Sequence, residues 1–219
     1  MADERTLSHY QANFERYASE YLDARVSDQQ RLILTYFHPS GLSLDVGCAS
    51  GRDLLWLRDQ GFRVEGLDAV EGFVQTCRER LPEAPIYHDQ LPALPTLLGP
   101  SNRRRFESRY DNLLASATLM HLPQGEIPVA IDQLRRLLRP GGRMLISARR
   151  ARPEEERQSS EREGERLFTP LTTALLTKLG DAAGLATLFS EERAADEQGK
   201  HWVTVVFERV GHSSKGRQD

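Results

Sequence analysis

With 219 residues, 29 basic against 32 acidic side chains and a formal charge of −3, the chain has the length of one domain and lacks the concentrated positive surface that a nucleic-acid backbone attracts. Cys48 and Cys77 are too few for a disulfide framework and stand at no metal-ligand spacing, so neither structural bridges nor a metal site are expected. No apolar run approaches membrane-spanning length, and Met1 to Arg5 lacks the apolar core of a signal peptide; a reduced, cytoplasmic protein without membrane contact is the expectation.

Near the start, Tyr10, Phe14, Tyr17 and Tyr21 recur at helical spacing and predict one helix with an aromatic face, whose ordinary use is core packing. From Leu42 onward, strand-like and helix-like segments alternate, the pattern of a parallel sheet covered by helices on both faces. Leu42, Leu44 and Val46 suit a central strand, followed by a glycine turn and a helix ending at Gly61. Phe62 to Leu67 reads as a second strand, Val70 to Leu81 as a helix stopped by Pro82, and Pro85 to His88 as a short third strand. After an irregular stretch over 91–107, where Arg103 to Arg105 read as a solvated loop, Tyr110 to Ser116 forms strand four. Ile127, Ile131, Leu134 and Leu138 mark a helix that stops at Pro140-Gly141-Gly142, and Arg143 to Ser147 is strand five. Residues 149–168 switch to arginine and glutamate, a solvated insertion or a lid over a ligand site. A helix from Pro170 to Ala183 and strands over 185–190 and 201–208, paired antiparallel, complete the pattern, and 211–219 reads as a disordered tail.

The chemistry is concentrated in Leu44 to Asp53, a strand, a turn punctuated by Gly47 and Gly51, and the opening of a helix. Glycine accepts positive φ and leaves no Cβ between the main chain and a ligand. Twenty-one residues after Gly47, Asp68 ends the second strand, where an open α/β sheet presents a carboxylate to a ribose. A nucleoside cofactor follows, either a nicotinamide dinucleotide or S-adenosylmethionine. The dinucleotide fingerprint needs glycines where this chain has Gly47, Ala49 and Arg52, and two of them are missing.

With Asp45 ahead of it, the turn resembles motif I of the class I S-adenosylmethionine-dependent methyltransferases, an acidic residue followed by Gly-x-Gly-x-Gly; the departure is Ala49 at the middle glycine. Tyr110-Asp111 and Leu138-Arg139-Pro140-Gly141-Gly142-Arg143 look like later motifs of the same family, and the resemblance covers about residues 40–150, pointing to a small single-domain member of bacterial type. It implies a Rossmann-like three-layer α/β sandwich, with a mostly parallel seven-stranded sheet ending in an antiparallel strand. It divides the chain into N-terminal helices over 1–40 that cap the cofactor site and a methyltransferase domain over 41–210. Carried over by position, it sets Asp45, Gly47, Cys48, Ala49 and Gly51 along the methionine part of the donor and Asp68 on the ribose hydroxyls, with Asp53 a further cofactor-binding residue. Ala69 and Val70 would flank the adenine, with Asp89 and Gln90 facing its amino group. Ser116 and Ala117 would lie near the methionine moiety, and the N-terminal helix would bring Tyr17, or Tyr10, to the site.

Methyl transfer from a sulfonium needs chiefly alignment and exclusion of water, so a catalytic acid or base leaves little trace in sequence. His121, one turn beyond strand four, is the candidate general base, and Arg149 a candidate for an anionic substrate. Strand four runs into Ser116-Ala117-Thr118 rather than the Asn/Asp-Pro-Pro-aromatic signature of amino-directed adenine and glutamine methylation. A Pro-Cys nucleophile for cytosine chemistry and a cysteine set for arsenic are both lacking. The size and charge favour a small-molecule acceptor at an O, N or S atom, in a monomer or homodimer. The competing functions are a non-catalytic module that binds the donor or its demethylated product, and an NAD-dependent oxidoreductase.

Overall fold

The protein is described by a computed structural model over residues 3–22, 27–150, 161–194 and 200–211. Half of the charged stretch (151–160) and nearly all of the tail (212–219) expected from the sequence lie outside the described residues.

Three helices, α1 (Glu4–Ala12), α2 (Phe14–Leu22) and α3 (Ser27–Tyr36), precede the first strand. The single aromatic helix read from the sequence is thus two. Asn13 breaks it: its amide bonds Tyr10 O, and its side chain donates to His9 O at 2.8 Å, an alternative to continuing the helical ladder. β1 (Leu42–Val46) is buried from Ser43 onward, Ser43 and Asp45 included, and lies inside the sheet between two other strands, as a strand covered on both faces does. The pattern continues with α4 (Arg52–Asp59), β2 (Arg63–Asp68), α5 (Glu71–Arg80) and β3 (Ile86–His88). The irregular stretch holds two short helices, α6 (Pro95–Leu98) and α7 (Arg103–Phe106), before β4 (Tyr110–Ser116).

α8 (Ile127–Leu137) buries Ile127, Ala130, Ile131, Leu134 and Leu137, one stripe at helical spacing, against the sheet. β5 runs from Leu138 to Arg149, so the strand starts before the Pro-Gly-Gly turn rather than after it. Leu138 already pairs with Tyr110, and the next pair is Asn112 with Arg143; the residues between loop out of register. A separate hairpin, β6 (Glu161–Glu163) with β7 (Arg166–Phe168), precedes α9 (Thr173–Ala182), β8 (Leu185–Arg193) and β9 (Trp202–Arg209).

The main sheet has seven strands in the order β3-β2-β1-β4-β5-β9-β8. β1 to β5 pair in parallel, and β9 runs antiparallel to both β5 and β8. This is the Rossmann-like sandwich with an antiparallel final strand that the resemblance implies. Chain order reverses between β1 and β4, and it is at the carboxyl ends of strands at such a reversal that open α/β sheets bind ligands. At the opposite end Asp111 accepts from Leu42 N at 2.7 Å and from Arg139 Nε, tying β1, β4 and the β5 loop together. The two later motifs are therefore staples of the sheet's far edge, not parts of the site.

One polar cluster inside the sheet layer carries weight. Glu65, 4% exposed in its side chain, pairs with Arg109 and accepts from Tyr110 at 2.7 Å and Tyr87 at 3.2 Å. Burial, together with the adjacent Glu65 charge, holds the Tyr110 and Tyr87 hydroxyls above their ordinary pKa. Glu65→Ala strands a guanidinium and two phenols, so urea denaturation should show a loss of about 3–5 kcal/mol. Tyr110→Phe, which removes one bond to a charged acceptor, should cost about 1.5–3 kcal/mol.

Candidate active site

A cavity of about 1350 Å³ opens over the carboxyl ends of the parallel strands, floored by the turn after β1 and by the ends of β2, β4 and β5, and roofed by α1, α2 and the β6–β7 hairpin. Every site residue expected from the sequence except Gly51 lines it: Asp45, Gly47, Cys48, Ala49, Asp53, Asp68, Ala69, Val70, Asp89, Gln90, Ser116, Ala117, His121 and Tyr17. Arg149 and Tyr10 line it as well.

The turn is built backbone first. Gly47 and Cys48 both donate to Leu67 O, at 2.8 and 3.0 Å, which presses the turn against the end of β2. Gly47 has φ +75°, and a Cβ there would lie 2.4 Å from Thr118 Oγ1, so only glycine fits. Ala49 sits at φ +44°, the left-handed region, which explains why this position usually carries glycine. Gly51 is also left-handed, at φ +82°, and faces Cys77 Sγ rather than the cavity. Cys48 packs its thiol 3.7 Å from Cys77 Sγ.

Asp68 clamps this arrangement. One carboxylate oxygen accepts from Ala49 N and the other from Val70 N, both at 2.9 Å. Burial raises its carboxyl to about 6 despite the lowering by these amides. Asp45, fully enclosed in the strand, is held well above the usual carboxylate range by burial and then by the charge of Asp53. Asp53 accepts from Arg52 at 2.7 Å and from Gln29 at 3.3 Å. Gln29 Oε1 in turn accepts from Ser116 Oγ at 2.7 Å and Ser147 Oγ at 3.2 Å, joining α3 to the ends of β4 and β5.

Asp89 is spent differently. Its carboxylate accepts from the amides of Gln90, Thr96 and Leu97 at 2.9, 3.1 and 2.8 Å, capping α6, with burial raising its pKa. The amide of Gln90 is occupied in the same bond, and Gln90 itself is exposed.

The roof is laced to the floor. Asp3 caps α1 through Thr6 N and binds Arg162 of the hairpin, which together with Thr6 lowers its carboxyl to about 2. Thr6 Oγ1 accepts from Leu167 N at 2.8 Å. His121 Nδ1 lies 2.8 Å from Leu167 O, which only accepts, so Nδ1 carries the hydrogen and Nε2 accepts from Tyr10 OH at 3.1 Å. Burial, with Arg166 adding to it, depresses His121 to about 4 and keeps the ring neutral near pH 7. Tyr17 OH bonds His9 Nε2 at 3.0 Å. Arg166 lies over the rings of Tyr10, Tyr17 and Phe168, its guanidinium 6.0, 5.8 and 5.2 Å from their centroids. Gln29, Thr118, Arg166 and Phe168 carried no sequence signal for the site, since each belongs to an ordinary helical, polar or charged run.

The donor set discriminates between the two nucleosides. Asp53, paired with Arg52, and Asp68 line the floor, and a pyrophosphate placed there would meet carboxylates. S-adenosylmethionine brings an ammonium and a sulfonium, which such a wall attracts, and ribose hydroxyls that can donate to Asp68. The residues fit that cofactor. Among the described residues, no cluster of three or more His, Cys, Asp or Glu side chains is arranged to hold a metal ion, and no helix is long and apolar enough to cross a membrane.

These features define a class I methyltransferase fold around a nucleoside site. The chain matches the methyltransferase-domain family over residues 14–211 and belongs to it; it is an S-adenosylmethionine-dependent methyltransferase. No curated protein sequence matches it. Among solved structures it is similar to the 1,6-didemethyltoxoflavin-N1-methyltransferase of Burkholderia thailandensis with bound 1,6-didemethyltoxoflavin and S-adenosylhomocysteine (TM-score 0.73, 20% identity, 94% of this chain and 88% of that one). Similarity extends to the N-methyltransferase NodS of Bradyrhizobium japonicum WM9 with S-adenosylhomocysteine (TM-score 0.69, 15% identity, 94% and 99%). A third similar structure is an S-adenosylmethionine-dependent methyltransferase of Methanosarcina mazei (TM-score 0.68, 16% identity, 82% and 97%).

Two buried groups give opposite pH signatures. His121 is depressed from 6.5 to about 4, so the unfolded chain takes up a proton that the folded one refuses, and its contribution to stability is lost as pH falls through that window. Asp68 is raised from 3.8 to about 6, so its contribution grows as pH falls through 6. In denaturation at stepped pH, the stability gap between wild type and His121→Gln should narrow between pH 6.5 and 4, whereas the gap to Asp68→Ala should widen between pH 6 and 4.

Proposed function

We propose that this methyltransferase acts on a small-molecule acceptor, which it seats between the glycine-turn floor and the roof of α1, α2 and the β6–β7 hairpin. The observation that carries the reading is the size of the cavity: about 1350 Å³ exceeds the roughly 300–1,000 Å³ of a site for one small ligand, and the elements above it are bonded to the segment after β4 and to one another. Such a chamber suits two small ligands better than a polymer, and the charge of −3 gives no attraction for nucleic acid.

In this reading Asp68 accepts the ribose hydroxyls with the lone pairs that Ala49 and Val70 leave free, and Ala69 and Val70 flank the base. Asp45 and the turn from Gly47 to Ala49 line the methionine part, with Asp53, Ser116 and Ala117 beside it. When bound, the donor supplies a methyl carbon on a sulfonium, whose thioether departs uncharged. The chain's own contribution is alignment in a chamber shielded from water by the roof, an effect worth about 7–11 kcal/mol in favourable cases. In this reading the Tyr10 hydroxyl takes the proton that the acceptor atom gives up as it gains the methyl group, and passes its own proton to the neutral Nε2 of His121.

Isothermal titration with S-adenosylhomocysteine tests the assignment. Asp68→Ala should weaken binding by about 1.5–3 kcal/mol, the size of a hydrogen bond to a charged acceptor. For wild type, affinity should also fall as pH is lowered through about 6, where Asp68 loses its charge. Unchanged affinity in the variant removes Asp68 from the ribose, and a preference for NAD contradicts the electrostatic reading of the floor.

A further inference from the structure

The cavity is electrically two-sided. Four aspartates line its floor, whereas Arg149, at the end of β5, and Arg166, of the hairpin above it, share a single carboxylate among the described residues, Glu163, which pairs with Arg149 and lies 3.7 Å from Arg166. Both guanidinium groups lie over the same ring, 5.3 and 5.2 Å from the centroid of Phe168, and their side chains are only 18% and 24% exposed. The neighbouring acids are committed elsewhere: Asp3 binds Arg162, and Glu165 binds Arg5. Two half-buried cations against one anion leave an excess positive charge, which a ligand anion would offset. The walls around it are the rings of Tyr10, Tyr17 and Phe168, with His121 edge-on to Phe168 at 4.9 Å.

We infer that the acceptor is a planar conjugated acid, its carboxylate or equivalent anionic oxygen held by Arg149 and Arg166 and its ring slotted among the aromatic walls beside His121 and Tyr10. An aromatic enclosure otherwise suits a cationic amine, but here Arg166 already occupies the cation's place over the rings. A guanidinium fork matches a carboxylate with two parallel bonds and stacks on flat surfaces, so the same two residues supply both charge and planarity. A donor carrying cationic groups would then meet an acidic floor and an anionic acceptor a basic roof, each drawn to its own side of one chamber. The inference rests on the methyl-transfer reading above, and it assigns the side of the site that the donor-binding motifs leave undetermined.

The test uses the full-length protein saturated with S-adenosylhomocysteine and three acid/amide pairs as probes: 4-hydroxybenzoate and 4-hydroxybenzamide, indole-3-acetate and indole-3-acetamide, nicotinate and nicotinamide. Binding is read by saturation-transfer NMR and titration calorimetry. At least one acid should bind, with its amide weaker by about tenfold or more, the scale of a charge-assisted bond. Arg149→Gln and Arg166→Gln should each erase that preference, Arg149→Lys should restore part of it, and S-adenosylhomocysteine affinity should stay within about twofold of wild type, which also reports that the variants fold. Equal binding of acid and amide, no binding by any acid of the three, or a preference that survives both glutamine variants overturns the inference. Failure of S-adenosylhomocysteine to bind wild type would instead overturn the donor-site reading, so the two failures are separable.

Discussion

The site depends on one carboxylate. Asp68, at the last position of β2, accepts from the amide of Ala49 in the turn after β1 and from the amide of Val70 at the start of α5. Those two bonds fix a strained left-handed alanine, close the turn onto the sheet, and aim the first turn of α5. Gly47 and Cys48 reinforce the closure through Leu67 O, and Thr118 fills the space that a side chain on Gly47 would need. Burial holds the Asp68 carboxyl near 6, so the charge is kept at a cost that a hydrogen-bonding, cation-bearing ligand can offset.

Everything above the floor follows from how the roof is tied to it. α1 and the β6–β7 hairpin are joined by Asp3 to Arg162 and by Thr6 to Leu167, and both are joined to the segment after β4 through His121. α2 is seated on α5 where Phe14 lies against Gly72; a Cβ on that glycine would come within 2.5 Å of the ring. The histidine is thereby oriented and bonded to a tyrosine, while Arg166 of the hairpin and Arg149 at the end of β5 set two guanidinium groups beside Phe168. In the proposed reading the sheet would supply the donor side and the elements above it the acceptor side.

The fold was legible because its signals are local and periodic. β4 runs from Tyr110 to Ser116 as the apolar run indicates, and the helical stripe through Ile127, Ile131 and Leu134 gives α8. The N-terminal aromatic stripe was legible as a face but not as two helices, because the break comes from the single polar residue Asn13 bonding back to its own helix. The early start of β5 was hidden because pairing of Leu138 with Tyr110 overrides a Pro-Gly-Gly sequence that locally reads as a turn. In the cavity floor, Asp45, Asp68 and the turn announce themselves through spacing. For Asp89, position in the sequence did not reveal that its carboxylate also accepts from the amides at the start of α6. Arg166 was invisible, one arginine in a run of arginines and glutamates, and only the tertiary stacking over three rings distinguishes it.

The central claim is that the Asp68-clamped turn seats the nucleoside of a methyl donor, and a crystal structure of the protein with S-adenosylhomocysteine tests it most directly. The account predicts both ribose hydroxyls within hydrogen-bond distance of the Asp68 carboxylate, which keeps its bonds to Ala49 and Val70, and the base beside Ala69 and Val70. A ligand whose ribose lies against other residues, with Asp68 bonded to those two amides alone, would contradict it.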